Sequence, residues 1–163
     1  MILHAGLIAR LEPSGWRGVL IEGPSGSGKS DLALRAIDAG WSLVADDRTL
    51  VWASGGRAYG RAAPALDGLI EARGVGVLGE RSRSFAPIYL VVCCTDASKV
   101  ERMPEFQART LVGVSVPRIE LAPREGSSVA KLARALCHLG LRPHPAYQAC
   151  RAGSPRPATG GDP

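Results

Sequence analysis

The 163 residues suit one domain with a genuine core, and with only 5% of them aromatic that core must be Val, Leu, Ile and Ala. No apolar run approaches the ~18 residues of a membrane span, and no basic-then-apolar leader opens the chain, so a membrane partner is not expected and the cytoplasm is. The net charge of +5 would suit nucleic acid, but the basic residues are scattered without a stacking or zinc-finger motif, which argues against that partner.

Residues 1–11 read as a first strand interrupted by His4, and Glu12–Arg17 as a turn. The apolar run Gly18–Glu22 then feeds Gly23-Pro24-Ser25-Gly26-Ser27-Gly28-Lys29-Ser30, a complete G-x-x-x-x-G-K-S phosphate-binding loop. A helical pattern, Asp31–Asp38, leaves it and ends near Gly40. Strand, glycine turn and helix N-terminus together form a nest of N–H groups for a β-phosphate. Gly23, Gly26 and Gly28 allow the positive φ angles such a turn needs. Lys29 is placed for the β- and γ-phosphates and Ser30 for Mg²⁺, so a nucleoside triphosphate is the expected ligand.

Trp41–Ala45 predicts a short strand that ends at Asp46-Asp47. Carboxylates at the C-terminal end of a parallel sheet face the ligand crevice, where one can hold Mg²⁺ and the other accept a proton. Arg48–Ala53 and Arg57–Tyr59 flank Ser54-Gly55-Gly56 as a hairpin. Residues 64–80 carry a dense glycine pattern in which Glu71 and Arg73, two apart, share a face if the segment is a strand. An Arg there can stabilise charge on a transferring phosphoryl group, and Glu71 can orient it or approach the metal.

Pro87–Cys94 predicts a second buried strand, Met103–Thr110 a loop or short helix, and Val112–Leu121 an extended segment. Ser127 or Ser128 can cap a last helix running through Cys137. Cys93, Cys94, Cys137 and Cys150 show no metal spacing, and the strand pair reads as buried reduced thiols. The division is a domain over residues 1–142 and a flexible tail over 143–163, rich in Pro, Gly and small polar residues. The fold class is α/β, a P-loop nucleotide-binding core with strands outnumbering helices.

Four stretches, His4-Ala-Gly, Gly23 through Leu34, Leu43-Val-Ala-Asp-Asp-Arg48 and Ile70-Glu-Ala-Arg-Gly-Val-Gly-Val77, together resemble the C-terminal catalytic domain of bacterial HPr kinase/phosphorylase. Their order matches, as does the short step from the loop lysine to the Asp pair. The resemblance implies a fold related to phosphoenolpyruvate carboxykinase. It implies ATP- and Mg²⁺-dependent phosphorylation of a serine on HPr, the carrier protein of the sugar phosphotransferase system, by a homo-oligomer. It makes Asp46 the base, puts Asp47, Ser30 and Glu71 around Mg²⁺, sets Lys29 and Arg73 on the phosphates, and brings His4 into the active site.

The chain departs from the family's long form in three ways. It begins at the catalytic core, like the short alphaproteobacterial form. It has Asp31 where the long form has Glu. It replaces a basic glycine-containing segment with Val116-Pro-Arg-Ile-Glu-Leu-Ala-Pro-Arg124, where Arg118 or Arg124 can supply a phosphate contact; this departure bears on the reverse, phosphorylase, reaction. The competing readings are a nucleotide-binding switch acting through a partner such as a sensor kinase system, and a small-molecule kinase with Arg81-Ser-Arg83 as its lid.

Overall fold

The structure, a computed structural model, describes residues 1–138. The expected boundary at 142, the tail 143–163 and Cys150 lie outside the described residues. Eleven strands and two helices follow in order: β1 Ile2–Leu3, β2 Gly6–Glu12, β3 Gly15–Glu22, α1 Lys29–Asp38, β4 Ser42–Ala45, β5 Thr49–Ser54, β6 Arg57–Ala62, β7 Leu69–Ala72, β8 Gly76–Gly79, β9 Ala86–Cys94, β10 Gln107–Leu111, β11 Val114–Leu121 and α2 Ser128–His138. Among the described residues no helix is long and apolar enough to cross a membrane.

The sheet is mixed, not parallel as the Asp pair's expected setting required. Its path runs β1-β5-β6-β9-β3-β2-β4, with β11 beside β9 and β10 beside β11. Strand β9 is the axis: it pairs parallel with β3 on one flank. On the other flank its start pairs antiparallel with β6 and its end parallel with β11. Strand β2 is antiparallel to both β3 and β4, so β4 runs in the same sense as β3 without touching it. The C-terminal ends of β3, β4, β9 and β11 therefore point one way, and the segments leaving them meet at one end of the sheet.

Alternation along the strands builds two cores. On one face Val19, Ile21, Leu43, Leu90 and Val92 pack under Leu32, Ala33 and Ala36 of α1 and Leu132 and Leu136 of α2. On the other, Leu7, Leu20, Val44 and Val91 pack against Val51, Ala58 and Ala62 of the β5–β6 hairpin. Helix α1 buries Lys29, Leu32, Ala33 and Ala36, the spacing of a single helical stripe. Behind it, Gly40 N–H bonds to the Ile37 carbonyl and Trp41 N–H to the Ala36 carbonyl, closing the helix as expected.

Four local expectations need correction. The Glu12–Arg17 turn is only Pro13-Ser14, because β2 and β3 continue their pairing out to Glu12 and Gly15. The second half of the ambiguous 103–110 segment belongs to β10, Gln107–Leu111, a strand paired with β11 through a tight turn at Val112-Gly113. Of the two cap candidates Ser128 falls inside α2, its hydroxyl donating to the carbonyls of Pro123 and Glu125, which leaves Ser127 at the position before the helix. Cys94 is buried but Cys93 is only half-buried, since adjacent strand residues face opposite sides.

The β3–β9 register slips between Gly18 and Val19, and the alternation of β9 changes phase there: Ile88 faces the second core, Leu90 the first. Gly18 permits this bulge, because a Cβ at that position would lie 2.6 Å from the Pro87 carbonyl oxygen. Gly18→Ala is expected to cost about 1–3 kcal/mol in denaturant unfolding, while Gly79→Ala, with no described atom within 4 Å of its Cβ, serves as the near-neutral control. Equal stabilities would contradict the bulge argument. Burial pushes the Cys94 thiol up to about 12, with Cys93 adding to the rise. Iodoacetamide at pH 8 should leave Cys94 unmodified until the chain unfolds; native-state modification at the unfolded rate would show that the site is open.

Candidate active site

Residues 23–28 leave β3 and turn into α1 with Gly23, Gly26 and Gly28 at φ of 154°, 75° and 98°. A side chain at Gly28 would also press on Pro123 at 3.2 Å, so this turn has room for glycine alone. Gly28 stands at the N-cap and offers no side chain to cap the helix, which leaves first-turn N–H groups facing the cleft. Lys29, only 8% exposed, folds over its own loop: Nζ donates to the carbonyls of Gly23 and Pro24 at 3.0 and 3.1 Å.

The two aspartates separate. Asp46 is buried, 6% exposed, and its carboxylate accepts from the Ser30 hydroxyl at 3.0 Å and from the Glu71 N–H at 3.0 Å. Asp47 takes φ 62°, a left-handed turn that ends the strand and throws its side chain to solvent. There its Oδ1 lies 3.1 Å from His4 Nδ1, with both side chains more than half exposed. Strand β4 thus ends by presenting one carboxylate inward to α1 and one outward to the segment after β1.

Glu71 lies next to the end of β7, which pairs with β8 in a hairpin of its own, and Arg73 follows at its turn. Glu71 and Arg73 both line the cleft, and an Arg73 guanidinium nitrogen lies 4.0 Å from the Cβ position of Gly26. The cleft holds about 760 Å³ and is lined by His4, Ser25, Gly26, Gly28, Lys29, Ser30, Asp47, Glu71 and Arg73. Gly23, Pro24, Ser27 and Asp46 are not part of this lining; Gly23 and Pro24 bond to Lys29 and Asp46 to Ser30, which are. The lining therefore brings together nine of the expected site residues, from His4, the 25–30 loop, Asp47 and the Glu71–Arg73 segment.

Sequence reasoning left Arg35 out and named Arg124 only as one of two options. Both line the cleft, and Arg124 donates to the Gly26 carbonyl at 3.1 Å. Arg118 instead stays on its own hairpin, bonded to Gln107 and Glu120. Arg83, one half of the expected lid, lies over the Trp16 ring at 4.0 Å. Parallel β9 and β11 carry Arg124 to the site, and that pairing had no local signal in the sequence.

Oxygen donors gather here: the Ser30 hydroxyl and the Asp46 carboxylate bonded to it, with the exposed Glu71 side chain at the rim. This donor set suits a hard divalent cation such as Mg²⁺, which is normally completed by water and substrate oxygens. Among the described residues no three of His, Cys, Asp or Glu cluster as a metal site.

Comparison with known proteins places this geometry. The model of the HPr Serine kinase C-terminal domain matches residues 11–151. The HPr kinase/phosphorylase of Streptococcus thermophilus is 35% identical over 125 residues, 69% of this chain and 40% of the relative. That of Mycoplasmopsis pulmonis is 35% identical over 136 residues, 76% of this chain and 44% of the relative. The chain thus spans less than half the length of these relatives. The solved Hpr(Ser) kinase/phosphatase from Coxiella burnetii superposes with a TM-score of 0.68 over 82% of this chain and 96% of that one, at 22% identity, a likeness of fold. On the match over residues 11–151, the chain belongs to the HPr serine kinase C-terminal domain family.

Proposed function

We propose that the cleft transfers the γ-phosphate of ATP, with Mg²⁺, to a serine of HPr. The observation that carries this reading is the meeting of Lys29, the Ser30–Asp46 pair and the His4–Asp47 pair at one cleft. A phosphate binder, a cation holder and a proton acceptor are the three parts that phosphoryl transfer to a hydroxyl needs. The relatives' shared name, HPr kinase/phosphorylase, supplies the acceptor.

Residues 23–30 are read as the phosphate loop. Its first-turn N–H groups and Lys29 take the β- and γ-phosphates, Lys29 exchanging two carbonyl acceptors for phosphate oxygens. Ser30 and Asp46 hold Mg²⁺, with Glu71 at the rim. When bound, the cation offsets charge on the phosphates and aligns them for in-line transfer. Arg73, beside Gly26, adds positive charge where the moving phosphoryl group gathers negative charge.

This reading exchanges the roles the resemblance implied for the two aspartates. Asp46 is the poorer base, because it is buried and already accepts from Ser30 and Glu71. Asp47 is open to an incoming hydroxyl and takes its proton. His4 Nδ1 lies 3.1 Å from Asp47 Oδ1, which leaves the second carboxylate oxygen for the serine.

The test is transfer of label from γ-labelled ATP to HPr in the presence of Mg²⁺, with serine identified as the acceptor. Label on HPr is expected, and Lys29→Ala should lower kcat/KM on the order of 10²-fold or more. Nucleotide binding without any label on HPr would overturn the kinase reading in favour of a switch; undiminished transfer by Lys29→Ala would overturn the phosphate-loop assignment.

A further inference from the structure

Arg35 has no part in the chemistry just described, yet its guanidinium makes an unusual set of bonds. Two of its nitrogens reach the Asp31 carboxylate on the same helix, at 2.9 and 3.2 Å. Alone, that would be a surface i,i+4 pair of little value. The same group also donates to the Ser128 hydroxyl at 2.9 Å, to the Glu125 carbonyl at 3.4 Å and to the Pro123 carbonyl. All three acceptors lie between Pro123 and Ser128, from the loop after β11 to the first residue of α2, some 90 residues away in sequence.

That segment carries Arg124, whose guanidinium donates to the Gly26 carbonyl of the proposed phosphate loop. Pro123 lies against Gly28 of the same loop, 3.2 Å from where its Cβ would stand. Asp31 holds the guanidinium plane from one side while the planar fork spans acceptors on the other, which the single nitrogen of a lysine cannot do. Arg35 and Arg124 thus act in series, from α1 to the 122–128 segment and back to the loop that α1 extends.

We propose that Arg35 is a positioning residue that clamps the 122–128 segment onto the phosphate loop, so that Arg124 closes over the bound polyphosphate. This rests on the reading of residues 23–30 as a phosphate loop. The clamp brings the Arg124 cation to the site through a residue on a different element.

The experiment compares the full chain with Arg35→Lys, Arg124→Ala and the double variant. It uses Mg·ATP affinity by calorimetry and, in the ligand-free protein, hydrogen exchange of the Glu125 and Ser128 amides, which bond within the segment. Arg35→Lys is expected to weaken Mg·ATP about tenfold, the loss of roughly one charge-assisted contact, and to speed exchange at both amides. The double variant should bind no more weakly than Arg124→Ala, because the two residues act as one. Multiplying losses, or an Arg35→Lys that binds Mg·ATP like the wild type, would overturn the proposal. Should Arg35→Lys not fold, Ser128→Ala removes one acceptor and is expected to give the same pattern at smaller amplitude; no change there would count against the clamp. A wild type that does not bind Mg·ATP would instead refute the phosphate-loop reading, and the amide exchange would then decide the clamp alone: faster in Arg35→Lys supports it, unchanged overturns it.

Discussion

The buried carboxylate of Asp46 joins three segments that the chain order keeps apart. It stands at the end of β4, accepts the Ser30 hydroxyl at the start of α1, and accepts the Glu71 N–H from the end of β7. A carboxylate taken from water costs several kcal/mol unless its lone pairs are met, and charge-assisted bonds return about 1.5–3 kcal/mol each. Two donors leave part of its accepting capacity open, which a divalent cation beside Ser30 would fill. The arrangement fixes the glycine loop, the Asp pair and the β7–β8 hairpin relative to one another. It also explains Asp47: with its neighbour turned inward, the next carboxylate reaches the cleft only through a left-handed turn, and there it meets His4.

The sheet supplies the frame for this constraint. A fully parallel arrangement would place β4 directly beside β3. Here β2 lies between them, antiparallel to both, yet β4 still ends on the same side as β3. The same end receives the 122–128 segment because β11 runs parallel to β9. Three loops with no mutual sequence proximity thus converge on one helix N-terminus, where exposed N–H groups and the helix dipole favour an anion.

Much of the site was legible because its signals are local. Gly23–Ser30 is a contiguous pattern, Asp46-Asp47 sits at a strand end, and Glu71 and Arg73 share a short segment. The β5–β6 hairpin was legible for the same reason, through Gly55-Gly56 at its turn. What escaped depended on long-range pairing. Strand β10 is exposed along most of its length and has no apolar alternation to announce it. Arg35 looks like any solvated helical arginine until its acceptors arrive from residues 123–128. The division of the pair into a buried Asp46 and an exposed Asp47 was equally hidden, since adjacent residues of one type differ only in the backbone turn between them.

The central claim is that division, with Asp46 on the cation side and Asp47 as proton acceptor. It is tested most directly by single-turnover phosphotransfer to HPr by Asp46→Asn and Asp47→Asn across a range of Mg²⁺ concentrations. The account predicts that Asp46→Asn needs more Mg²⁺ but recovers turnover as Mg²⁺ rises. It predicts that Asp47→Asn stays inactive at every concentration while holding Mg·ATP as tightly as the wild type. The opposite pattern, with Asp46→Asn inactive throughout and Asp47→Asn rescued by Mg²⁺, would contradict it.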